Sequence, residues 1–80
     1  MEKLNLVKSH FDQLPNNIEA EQAILGSILV SNEIFDDISP IINSNNFFDP
    51  MHQKIYEAIE KLIFGGMLAN PITLKNIFEN

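Results

Sequence analysis

The stretch Leu14-Pro15-Asn16-Asn17-Ile18-Glu19-Ala20-Glu21-Gln22-Ala23-Ile24-Leu25-Gly26-Ser27-Ile28-Leu29 constrains this chain more than any other, because it holds the clearest helix start and the longest helical period. Asn16 is placed to cap a helix, and Glu19 follows three residues later, the spacing at which a carboxylate reaches back to the capping residue's amide. Glu19 and Glu21 also put negative charge in the first turn, where the helix dipole favours it. Ile18, Leu25, Ile28 and Leu29, widened by Ile24 and by Ala20 or Ala23, predict a core face on a helix over about residues 17–30. Gly26 inside it costs about 1 kcal/mol relative to alanine and is expected to mark the close approach of another backbone.

The rest of the chain supplies packing partners for this helix. Residues 1–13 show no sustained period and are read as a flexible arm; Leu4, Val7 and Phe11 allow a short amphipathic turn, but only with a partner to hold it. Ser31 or Asn32 can cap a second helix over residues 33–38, with Ile34, Phe35 and Ile38 inward and Asp36 and Asp37 toward water; Pro40 breaks it. Asn43 to Asn46 reads as a polar loop, after which Phe47 and Phe48 return two rings to the core. Asp49-Pro50 is a strong helix start, and residues 50–64 then present Met51, Ile55, Ala58, Ile59, Leu62 and Ile63 inward, with Gln53, Lys54, Glu57, Glu60 and Lys61 outward. Gly65-Gly66 ends that helix as a left-handed cap. Residues 69–72 read as an extended connector, and Thr73 caps a last helix whose Ile77 and Phe78 look like the start of a longer apolar stripe, so the chain is expected to be truncated there. Together these elements predict an all-α fold, a small orthogonal bundle of about four to five short helices, with Leu25, Ile28, Ile55, Ile59 and Leu62 at its main contact.

Several function classes are disfavoured by what the chain contains. Five basic residues against eleven acidic give a net charge of −6, the wrong sign for phosphate contacts, so direct DNA binding is not expected. A helix-turn-helix reader fails for the same reason, since Tyr56 to Lys61 carries Glu57 and Glu60 against Lys61. The acidity suits a basic protein partner instead. No apolar run approaches a membrane span, no signal peptide is present and cysteine is absent, which makes the cytoplasm the expected location. His10 and His52 lack the spacing of metal ligands, and His52 is read as a surface residue. The carboxylate pairs Asp36-Asp37 and Glu19 with Glu21 are assigned to solvated faces, because nothing supplies a pocket or a nucleophile. Gly65-Gly66 lacks the Gly-x-x-x-x-Gly-Lys-Ser/Thr pattern, so no catalytic, cofactor or metal residue is assigned.

Two blocks carry a resemblance. Leu14-Pro15, Ile18-Glu19-Ala20-Glu21-Gln22 and Ile24-Leu25-Gly26, followed downstream by Asn46-Phe47-Phe48-Asp49-Pro50-Met51-His52-Gln53-Lys54-Ile55-Tyr56-Glu57-Ala58-Ile59, resemble the N-terminal domain of DnaB-type bacterial replicative DNA helicases. The resemblance covers about residues 14–74 and implies a helical domain over residues 14–80, lying before a helical hairpin and a RecA-like motor. It implies that the parent is a hexameric, ATP- and magnesium-dependent DNA helicase, in which this domain forms the collar and helps dock the helicase-binding domain of primase. The domain by itself is then a non-catalytic assembly and interaction module, a monomer or weak dimer. The expected contact surface is Gln53, Glu57 and Glu60 on the third helix with Asp36 and Asp37 on the second. The competing reading is a free-standing, non-catalytic helical adaptor.

Overall fold

The computed structural model describes residues 17–79. The expected arm over residues 1–13 and the expected cap Asn16 lie outside the described residues. Four helices follow one another: α1 (Ile18–Val30), α2 (Glu33–Ile38), α3 (Pro50–Phe64) and α4 (Pro71–Glu79), with a 3₁₀ turn at Ser44–Asn46.

The cap of α1 is Asn17, whose side chain accepts the amide of Ala20 at 2.9 Å. The helix is thus capped one residue later than expected, and Glu19 is exposed in its first turn. Ile24, Leu25 and Ile28 face the core as expected, and Leu29 packs at its edge. Gly26 is exposed with no atom within 4 Å of where a Cβ would lie, so no backbone approaches it. Helix α2 stops at Ile38, ahead of Pro40, burying Phe35 and Ile38 and leaving Asp36 and Asp37 exposed. Asn32 precedes α2 without capping it, because its side chain is engaged elsewhere.

The loop before α3 is more ordered than a polar run suggests. The Asn43 side chain accepts the Asn45 amide while the Asn46 side chain accepts the Asn43 amide, closing the 3₁₀ turn from both ends. Phe47 then enters the core at 1% exposure, but Phe48 is 57% exposed, because successive residues of extended backbone point to opposite sides. Asp49 caps α3 through the Met51 amide, with Pro50 at the first position. Inside α3 the expected inward residue Met51 is exposed, and the fully buried aromatic is Tyr56. Tyr56 meets the rings of Phe35 and Phe47 at centroid distances of 5.8 and 5.1 Å and donates its hydroxyl to the Ile42 carbonyl at 2.7 Å. Burying the ring is favourable only because that hydroxyl finds an acceptor.

Gly66, at φ 76°, reverses the chain after α3: its amide reaches the Ile63 carbonyl and the Met67 amide reaches the Leu62 carbonyl, which satisfies the helix's last acceptors. Helix α4 begins at Pro71, earlier than Thr73 would place it. Asn70 caps it by accepting the amides of Ile72 and Thr73, while Thr73 accepts the Asn70 amide in return. Asn70-Pro71 is thus the same start signal as Asp49-Pro50. The core runs through all four helices and the loops between them, from Ile24, Leu25 and Ile28 to Ile59, Leu62, Ala69 and Leu74.

Candidate interaction surface

A buried acid organises the junction between α1 and α3. Glu21 lies one turn before Leu25 and two before Ile28, on the core stripe itself, and is 2% exposed. Its carboxylate accepts the amide of Phe48 at 2.6 Å, the amide of Asp49 at 3.3 Å and Nδ1 of His52 at 2.7 Å. A carboxylate only accepts, so His52 Nδ1 carries the proton. Two of these donors are backbone amides at the start of α3, which the helix cannot satisfy internally. Glu21 therefore does from α1 what a glutamate in the first turn of α3 would otherwise do. Both surface assignments made from the sequence are corrected: Glu21 is not on a solvated face, and His52, 8% exposed, does not decorate the surface. The signal was spacing, since Glu21 sits three and four residues before Ile24 and Leu25, and His52 four before Tyr56 and seven before Ile59.

With those groups turned inward, the polar face of α3 carries Gln53, Glu57 and Glu60, spaced four and three apart along one flank, together with the exposed Lys54 and Lys61. The 3₁₀ segment lies against that flank: Gln53 donates to the Phe47 carbonyl at 2.7 Å, and the Ser44 hydroxyl donates to Glu57 at 3.2 Å. Helix α2 reaches the same side through Phe35, whose ring meets Phe64 at 5.6 Å. Glu57 is exposed, whereas Gln53 and Glu60 are half-buried. Partial burial, followed by the neighbouring Glu57 charge, raises the pKa of the Glu60 carboxyl. Burial, followed by the Glu60 charge, pushes the Tyr56 phenol up to about 12. Asp36 and Asp37 project into solvent from α2, and among the described residues no hydrogen bond or ion pair joins them to the α3 flank. The flank thus places Glu57 and Glu60 on a well-packed base, with the exposed Lys54 and Lys61 on the same helix.

Among the described residues, no three His, Cys, Asp or Glu side chains gather to hold a metal ion, and no helix is long and apolar enough to cross a membrane. Gly65 and Gly66 close the C-terminal end of α3.

Residues 13–80 match the family described as DnaB-like helicase N terminal domain. Among curated proteins, the chain is similar to the replicative DNA helicase DnaB of Rickettsia typhi, with 42% identity over 92% of this chain and 16% of that protein. It is 50% identical to the Rickettsia felis protein of the same name over 80% of this chain and 13% of that one. The Buchnera aphidicola subsp. Baizongia pistaciae protein, also named replicative DNA helicase DnaB, is 42% identical over 84% of this chain and 14% of its own length. The chain thus spans about one-sixth or less of the relatives it matches. No solved structure matches it.

Proposed function

The chain belongs to the DnaB-like helicase N-terminal domain family, and from that premise we propose that it is the assembly and interaction domain of a hexameric replicative DNA helicase. In this reading it contributes to the collar of the ring and to docking primase, while ATP, magnesium and strand separation belong to a motor outside these residues. The observation that carries the reading is the division of polar groups. Glu21 and His52 are consumed in holding α1 to α3, and the acidic groups Glu57 and Glu60 are left along an outer flank of α3, with Lys54 and Lys61 exposed on the same helix. A net charge of −6 points the flank toward a basic protein and away from phosphate. Asp36 and Asp37 extend the same sign of charge on α2.

Sedimentation of this chain, alone and with the helicase-binding domain of primase from the same organism, tests the reading. The expected result is a monomer or weak dimer that binds the primase domain, with binding weakened by about tenfold or more in a Glu57→Lys/Glu60→Lys double variant that remains folded, and weakened by salt. Binding unaffected by the charge reversal overturns the assignment of the flank, and no binding overturns primase docking by this domain.

A further inference from the structure

Helix α4 and the loop before it form a nearly self-sufficient unit. Asn70 and Thr73 satisfy each other's amides and that of Ile72, and the Thr73 hydroxyl donates to the Leu68 carbonyl, so the start of α4 borrows nothing from the other helices. Only Leu74 of α4 is buried, with Ile77 partly so, whereas Met67, Leu68, Ile72 and Phe78 are each about half exposed or more. On its other side the unit is joined to α3 through Gly66, in the left-handed region.

One side chain bridges this unit to the bundle. Asn32 donates through Nδ2 to the Ile28 carbonyl in the last turn of α1, at 2.8 Å, which fixes the amide's orientation. The same nitrogen donates to the Ala69 carbonyl at 2.9 Å, and Oδ1 accepts the Ala69 amide at 2.8 Å, so one amide group pairs with both polar groups of a single backbone residue 37 positions away. Ala69 itself is fully buried.

We propose that residues 67–79 are a hinged arm that opens about Gly65-Gly66 as a unit, and that the Asn32 amide is the latch holding it closed. Opening detaches α4 while α1, α2 and α3 keep their packing, because the Tyr56 cluster and the Glu21 junction involve no residue of the arm. This inference does not depend on what the acidic flank binds.

Native-state hydrogen exchange, followed by NMR on the whole 80-residue chain, tests it. In the unaltered protein, the slow amides of α4 are expected to exchange through an opening of lower free energy and weaker denaturant dependence than those of Ile59 and Leu62. Asn32→Asp keeps the shape but sets an oxygen against the Ile28 and Ala69 carbonyls. It is expected to speed exchange in α4 by about fivefold or more, the factor for losing one net hydrogen bond, and to leave α3 within about twofold. Equal opening free energies and denaturant dependences for α3 and α4 in the unaltered protein overturn the hinged arm, and this measurement needs no variant. Unchanged α4 exchange in Asn32→Asp overturns the latch, as does equal acceleration in α3.

Discussion

Replacing Glu21 by alanine removes one carboxylate and strands three donors: the amides of Phe48 and Asp49 and Nδ1 of His52. The site is nearly closed to water, with Glu21 2% and His52 8% exposed, so solvent cannot fully replace the lost acceptor. Removing a buried acceptor and leaving its three donors unsatisfied, at about 1–3 kcal/mol for each group, costs at least about 3 kcal/mol, a large share of the stability of a domain this size. At roughly 4–8 °C per kcal/mol, the Tm of Glu21→Ala falls by more than about 12 °C. Glu21→Gln keeps one acceptor oxygen but turns an NH₂ toward a donor, and loses about 1–3 kcal/mol. His52→Ala costs less than Glu21→Ala, because the carboxylate still holds two backbone amides. Thermal unfolding followed by far-UV circular dichroism, with urea titration at fixed temperature, gives all three values. A Glu21→Ala loss within about 0.5 kcal/mol of the unaltered protein, as for an ordinary surface position, refutes the reasoning. So does a His52→Ala variant less stable than Glu21→Ala.

Tyr56 is the only tyrosine, so its ionisation can be read directly by ultraviolet absorbance. The folded protein is expected to titrate near pH 12, against about 10 once unfolded in denaturant. Because the folded value is the higher one, the stability this group contributes is complete below pH 10 and is lost as pH rises toward 12; Glu60→Gln should lower the folded midpoint by removing the nearby charge. Phe35, 1% exposed and in ring contact with both Tyr56 and Phe64, is expected to cost roughly 3–5 kcal/mol when replaced by alanine, whereas Phe48→Ala should stay within about 0.5 kcal/mol. Urea midpoints that rank the two phenylalanines equally would overturn that contrast.

The outward places of Asp36, Asp37 and Glu57 were legible in the sequence, because each falls opposite an apolar stripe of its helix. Gln53 and Glu60 were legible only as polar positions on α3. The half-burial of Gln53 goes with its bond to the Phe47 carbonyl beside the 3₁₀ segment, and chain spacing within one helix carries no information about such a neighbour. Met51, expected inward, is exposed in the first turn of α3, while Tyr56, which was not on the expected inward stripe and needed the Ile42 carbonyl to satisfy its hydroxyl, takes the centre.

What the sequence determined by itself is the set of helices and most of their ends. Asp49-Pro50 starts α3, Pro40 stops α2 from continuing, and Gly66 turns the chain after α3, each through local sterics and hydrogen bonding within a few residues. Asn70-Pro71 carries the same information for α4, ahead of the expected cap Thr73. What only the tertiary structure decided is where polar side chains on the core stripes would go. Burying Glu21 is unfavourable unless donors meet it, and those donors stand 27 to 31 positions away, at the start of another helix. Asn32 likewise is a cap by local rules and a bridge in the fold, because its partner Ala69 is 37 positions distant. A local pattern fixes which face a residue occupies; whether a polar group can be buried there depends on a partner that folding alone brings to it.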